Sequence, residues 1–429
     1  MASSHAPELY FHILNDYPAI DNHAHPLLTA ESRNRLAFEG LTSEADGPAL
    51  EDAVYTLPHS TARRDLARLY GLPRHTSWDD IKKHRAARPY DDLCRLCFEK
   101  ANIQCILIDD GLSGVKDMAE QYRWHDRYTS SPTRRIVRVE VVAEDILTEL
   151  FEAGQLDSDP GIEGLTRFAV LLHTRLKANA DNPSVAGFKS IVCYRTGLDV
   201  DVASNVPAEI EALRGAYGQF RLRANVPVRL ENKPLNDFVV RMTLEIAAEH
   251  NKPVQFHTGL GDADITLTRA NPAHLQPLIA KYPRAKFVLL HASYPYTREA
   301  GYLTAVYKNV YLDIGEVFPA VSMQGQKALI RQALELVPTN KLMWSSELFL
   351  TFFSGIGAWS CYMCIGDGHW WPETYYLGSH QARRALASVL YEAVREDDLT
   401  PEEAARVAKD ILFHTANRVY LLGLEARYT

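Results

Sequence analysis

Cysteine is scarce, with six in 429 residues. That is too few for a disulfide framework in a chain of this size, and it points to a reduced, cytoplasmic setting. Cys94/Cys97 and Cys361/Cys364 are both C-x-x-C pairs, which together would suit a zinc site. The first pair lies in DDLCRLCFEK, where Leu93, Cys94 and Cys97 share one apolar helix face, so core burial is the preferred reading. A basic excess is missing too. The 46 Lys and Arg against 54 Asp and Glu leave a net charge of −8, which excludes the electrostatic footprint of a nucleic-acid binder. The N-terminus lacks a basic n-region and an apolar h-region, so no secretory signal is expected. Internal repeats and low-complexity tails are lacking, and no membrane partner is expected.

The composition that remains is ordinary for a globular chain: 46% hydrophobic and 23% charged. Short apolar runs alternate with helix-like segments. AIDNHAH (19–25), IQCILID (103–109), IVRVEVV (136–142), VAGFKSIV (185–192), VQFH (254–257), KFVLLH (286–291), NVYLDI (309–314) and KLMWSS (341–346) read as strands. Residues 236–250 carry a helical stripe at Val239, Met242, Ile246 and Ala247, stopped by Asn251 and Pro253. Eight strands separated by helices predict a parallel α/β fold, a (β/α)8 TIM barrel spanning 1–429 as a single domain. Residues 26–100 are more than one crossover helix requires. They predict a helical cap insertion over the barrel mouth, with Ser77 as one helix cap. Two extra C-terminal helices follow the last strand, the second opened by Thr400-Pro401-Glu402-Glu403.

Sixteen histidines are present, and several fall at strand ends, where the active sites of such barrels sit. Strand 1 closes in His23-Ala24-His25, and alternate residues of a strand share a face. Strand 5 closes in His257 and strand 6 in His291, while strand 4 carries Lys189. One strand-end histidine is ordinary; this set predicts a divalent metal site. Neutral imidazoles with a carboxylate suit Zn2+, with Mn2+ and Fe2+ as alternatives.

The segments IDNHAHPLL, GFKSIVCYRTGL, PVQFHTGLGDADI, FVLLHASYPYTREAGYL, NVYLDIGE, DGHWWPETYYLG and ANRVYLLGL resemble the amidohydrolase superfamily, in its amidohydrolase-2 branch. The resemblance spans nearly the whole chain and is nearest to the FluG/nodulin-type amidohydrolase domain, here expected in a stand-alone form. It implies that His23, His25, His257 and Asp367 bind the metal. His291 and Asp367 would be catalytic: His291 as a second-metal ligand in a two-metal site or, with one metal, as the group that polarises substrate or bound water, and Asp367 by moving a proton between water and leaving group. Lys189 would be either a carboxylated, metal-bridging lysine or, the preferred reading, a lysine that binds an anionic substrate. Tyr194, Arg195, Arg298 and Trp371 are the further candidates for substrate contact. Arg195 leads them, because an arginine beyond strand 4 can grip a carboxylate with two hydrogen bonds.

One stretch departs from the pattern. In the family, the strand-8 serines run directly into the aspartate. Here Ser345-Ser346 is followed by residues 347–366 before Asp367. Residues 348–366 carry no charge and are long enough to span a bilayer, but a membrane span would separate strand 8 from the C-terminal helices. A lid so apolar would expose a large patch. The preferred reading is translated intron: the flanking codons permit a splice donor and acceptor whose removal restores Ser-Ser-Asp-Gly-His. Glu347 then stands next along strand 8 as an alternative carboxylate ligand.

The expectation is therefore a metal-dependent hydrolase using metal-activated water to cleave an amide-like C–N bond of a small, carboxylate-bearing substrate. A decarboxylase or lyase of the same branch, or a catalytically impaired regulatory or scaffolding homologue, are the alternatives. Homo-oligomerisation is left open.

Overall fold

A computed structural model describes residues 14–111, 117–156, 160–223, 227–346 and 370–428. Its strands are β1 (Ala19–Ala24), β2 (Ile103–Asp109), β3 (Arg134–Arg138), β4 (Val185–Ser190), β5 (Pro253–Phe256), β6 (Lys286–Leu289), β7 (Val310–Asp313) and β8 (Leu342–Met343). They form one eight-stranded sheet in chain order. The pairings of β1 with β2, β4 with β5, β5 with β6 and β7 with β8 are parallel. Helices connect the strands, and the fold is a (β/α)8 barrel. The third strand begins and ends earlier than the sequence suggested. At Val139 the chain turns into a helix, because Val139, Ala143, Ile146, Leu147 and Leu150 bury one helical stripe.

The chain divides into two compact units: Met1–Arg135, Gly261–Asp264 and Leu312–Thr429 form the first, and Ile136–Leu260 with Ile265–Tyr311 the second. In the first unit β1 and β2 are wholly buried. Between them lie helices α1 (Leu57–Leu69), α2 (Trp78–Ala87) and α3 (Tyr90–Ala101). Ser77 caps α2, its hydroxyl accepting from the Asp80 amide. After β7 comes α4 (Met323–Leu336), and β8 is followed by α5 (Pro372–Arg395) and α6 (Pro401–Lys409). Helix α6 opens with a full capping box between Thr400 and Glu403.

Two buried arginines bind this unit together across long sequence separations. Arg85 Nε donates to Glu373 Oε1 at 2.6 Å, and the Tyr70 hydroxyl donates to the same oxygen at 2.7 Å. Removing one partner of such a pair strands a buried charge, at a cost of about 3–5 kcal/mol. Arg383 donates to the carbonyls of Leu14, Tyr17, Ala101 and Asn102. Cys94 and Cys97 are buried on α3 as free thiols. Burial pushes the Cys94 thiol up to about 12 and raises that of Cys97 well above its ordinary value. Protonated thiols are poor metal ligands, which favours the core reading; Cys361 and Cys364 lie outside the described residues.

In the second unit β4, β5 and β6 pair in parallel, and the helices Val139–Glu152, Gly161–Asp181, Val206–Leu222 and Lys233–Glu249 belong to it. Among the described residues, no helix is long and apolar enough to cross a membrane. Residues 347–366, on which the membrane, lid and intron readings fall, lie outside the described set.

Candidate metal centre

In the first unit, candidate ligands stand at the end of β1. His23 and His25 are both fully buried. Their rings stand 5.2 Å apart, edge to face. His25 Nδ1 lies 2.7 Å from the main-chain oxygen of Asp109. A carbonyl only accepts, so Nδ1 carries the proton and Nε2 presents its lone pair. Asp109 closes β2 and is equally buried. One ligand atom from each of His23, His25 and Asp109 falls within 4.8 Å of the others. Two imidazoles and a carboxylate side chain converging in a buried space are a donor set that fits a divalent metal. Asp109 was not singled out from the sequence, although its signal was there: IQCILID ends in an acid at the ligand-bearing end of a strand.

Behind this pair, carboxylates brace the strand ends. Asp313 accepts from Asn22 Nδ2 at 2.7 Å, from the Gly315 amide at 2.9 Å and from Ser345 Oγ at 3.0 Å. Asp21 accepts from the Ser346 amide at 3.0 Å and from the Ser346 hydroxyl. Ser345 and Ser346, just past β8, are thereby committed to structural bonds. Burial, reinforced by the charge of Asp313, raises the Asp21 carboxyl to about 8 against the hydrogen bonds from Ser346.

In the second unit, histidines stand just past β5 and β6. His257 Nε2 lies 2.8 Å from the Leu260 carbonyl oxygen and 3.1 Å from the Tyr194 hydroxyl. The carbonyl again assigns the proton, here to Nε2, which leaves the lone pair on Nδ1. That lone pair faces His291 Nε2 at 3.0 Å. In a neutral pair His291 donates to it. A metal ion would take the same lone pair.

The backbone that presents His291 is unusual. His291, Ala292 and Ser293 have φ of 66°, 51° and 51°, in the left-handed region that side chains disfavour. Each such residue costs on the order of 1–3 kcal/mol and persists only where its surroundings dictate it. Here Thr258 Oγ1 donates to the Leu290 carbonyl at 2.7 Å and lies 2.7 Å from Ser293 Oγ. Gly259, at φ +81°, lets the two loops touch: a β-carbon there would meet the Tyr294 carbonyl oxygen at 2.4 Å. The glycine of the H-T-G-L sequence thus has a steric reason.

The remaining candidates are distributed as follows. Lys189 is fully buried on β4. Tyr194 is joined to His257 by its hydroxyl. Arg195 ends the helical turn Val192–Arg195 and bonds to Glu144 Oε1 at 3.2 Å. Its buried Nε finds no hydrogen-bond partner among the described residues. Arg298 is exposed in the first turn of the Thr297–Val306 helix. Trp371 is buried, its indole donating to the Arg33 carbonyl at 3.0 Å. Asp367 and Glu347 lie outside the described residues.

A (β/α)8 barrel with imidazoles and carboxylates closing its strands has the fold of the metal-dependent hydrolases. The chain belongs to the amidohydrolase family, whose sequence profile matches residues 184–422. It is 42% identical over 432 aligned residues to the fluG protein of Emericella nidulans, covering 96% of this chain and 46% of that protein. It therefore spans about half the length of that curated relative. Among solved structures, a protein from Lactobacillus casei assigned as a metal-dependent hydrolase superposes with a TM-score of 0.76 at 23% identity, over 96% of this chain and 97% of the other. The uronate isomerase of Thermotoga maritima gives 0.65 at 13%, over 97% and 98%. That of Bacillus halodurans gives 0.62 at 14%, over 96% of each. At these identities the likeness is one of fold.

Proposed function

We propose that the chain is a metal-dependent hydrolase that cleaves an amide-like C–N bond in a small, carboxylate-bearing substrate. The metal, taken as zinc, is assigned to His23, His25, His257 and Asp367. The observation that carries this reading is the fixed tautomers. A main-chain carbonyl holds one ring nitrogen of His25 and another that of His257, so each presents the opposite nitrogen unprotonated, as metal ligation requires. Asp109 is a further donor beside His23 and His25. A divalent metal held there supplies Lewis-acid activation of water and of the scissile carbonyl. His291 polarises the substrate. Asp367 takes a proton from the attacking water and delivers it to the leaving nitrogen. Lys189 and the free edge of Arg195 bind the substrate carboxylate, Lys189 without carboxylation. Residues 26–100 cover the site, and the setting is cytoplasmic.

Residues 347–366 separate Asp367 from Ser346, and we take them to be retained intron. The test compares the chain as written with a deletion of 347–366, measuring metal content and hydrolysis across a panel of N-acyl and amide substrates. The deletion is expected to be more soluble, to bind one metal more tightly and to release amine or ammonia. Carbon dioxide as product would replace the hydrolase by a decarboxylase. Equal metal content and activity in the two forms would overturn the role given to Asp367. A transcript that uniformly keeps those 60 nucleotides would remove the intron reading.

A further inference from the structure

A second pocket lies in the first unit, lined by residues other than the metal-site candidates. It has a volume of about 430 Å3 and is lined by Arg64 and Arg68 of α1, Arg74 just beyond it, and Arg384 of α5. Asp65, the acid among the lining residues, is buried at 2% exposure. It accepts from Arg384 Nη1 at 3.1 and 3.2 Å and from Arg68 Nη1 at 3.2 Å. Gln381 adds a third donor to it at 3.1 Å. A buried carboxylate with several donors is a fixed post, and it orients two arginines that would otherwise sample many rotamers.

The charge does not balance. Four guanidiniums face one carboxylate, an excess of three positive charges in a chain whose net charge is −8. Arg64 adds only a neutral partner, donating to Thr61 Oγ1 at 3.2 Å. His380 lies 3.8 Å from Asp65; burial lowers it to about 4, so at neutral pH it adds no charge. Met323, the first residue of the 14-residue helix α4, also lines the pocket. The positive end of that helix dipole therefore reinforces the arginines. Leu72 and Met323 supply an apolar wall.

We propose that this pocket binds a small, multiply charged phosphate compound, with the arginines on its oxygens and a short apolar portion against Leu72 and Met323. Planar guanidiniums grip phosphate oxygens in pairs, and an excess of three charges selects a polyanion over a monocarboxylate. The site is separate in residues from the proposed hydrolytic one and stands whether or not the hydrolase reading does.

The experiment titrates the full chain with inorganic phosphate, pyrophosphate and tripolyphosphate by calorimetry, before and after metal removal. One saturable site is expected, tightening at least tenfold from phosphate to tripolyphosphate and weakening with added salt. Arg64→Ala/Arg74→Ala, at one half-buried and one exposed position, should weaken pyrophosphate binding at least tenfold with the folding transition unchanged. Arg175→Ala, at a surface arginine paired with Glu149, should leave it intact. Arg64→Lys/Arg74→Lys should restore part of the affinity. Absence of saturable binding would overturn the proposal. So would binding that survives the double alanine variant, or that vanishes only when metal is removed, which would place the anion on the metal.

Discussion

The two histidine pairs are built on different backbones. His23 and His25 come from a strand and its immediate exit, two residues apart, and their rings stand 5.2 Å apart. His257 and His291 are 34 residues apart in sequence. They meet where the chain after β6 passes through three consecutive left-handed residues, held by Thr258 and admitted by Gly259. The first pair is local geometry with little strain. The second is tertiary geometry held against the backbone's own preference. A pair of the first kind suits a fixed metal seat. One of the second kind places a proton-bearing imidazole where regular structure would not put it.

The largest expected effect tests that division of labour. His23→Ala or His25→Ala should reduce bound metal below about a tenth of an equivalent and lower kcat/KM at least a thousandfold, about 4 kcal/mol in the barrier. His291→Ala should keep most of the metal and lose about a hundredfold or more in kcat, as expected for a proton-handling group. Elemental analysis beside steady-state kinetics separates the two. Equal metal loss in all three would make His291 a ligand and collapse the contrast.

Next in size is the strained loop. Gly259→Ala must place a methyl 2.4 Å from the Tyr294 carbonyl oxygen at a φ of +81°. Overpacking and the left-handed backbone together should cost about 3–4 kcal/mol. Urea unfolding measures it. A loss below about 1 kcal/mol would mean that the loop yields easily and that the strain is not imposed by its surroundings.

This contrast also explains what could be read in advance. H-x-H at a strand end is visible because the strand period is two, and β2 carried its bounds in IQCILID. The left-handed run was not visible, since nothing in the types His, Ala and Ser asks for positive φ. The third strand was misjudged because V-x-V-x-V mimics a strand while its longer-range apolar pattern is helical. Asp109 was passed over as a strand terminus, although a carboxylate at that end has the chemistry of a ligand. The bond between Arg85 and Glu373 joins positions 288 apart, a separation over which a single sequence carries no pairing signal.

Acid should act first on the local pair's support. His125 is fully buried, its Nδ1 3.1 Å from the Tyr122 carbonyl oxygen and its Nε2 accepting from the Leu27 amide, two residues past His25. Burial, only partly offset by that backbone bond, lowers it to about 4. The unfolded chain takes up this proton near pH 6.5 and the folded chain only near 4, so stability present above pH 6.5 is lost as the pH falls through that window. The loss reaches about 3 kcal/mol by pH 4. Denaturation of wild type and His125→Gln at pH 7, 5.5 and 4.5 isolates this share. Parallel pH profiles for the two proteins would remove His125 from it.

The smallest effect concerns the strained pair's outermost contact. Tyr194 shares His257 Nε2 with the Leu260 carbonyl, and the carbonyl alone suffices to hold the proton there. Tyr194→Phe should therefore leave metal content and the His257 tautomer unchanged. Losing one neutral hydrogen bond is worth about 1 kcal/mol, so kcat/KM should fall about fivefold. A loss beyond a hundredfold, with metal intact, would instead place the Tyr194 hydroxyl on the substrate. The second pair would then reach the reaction through its neighbour as well as through His291.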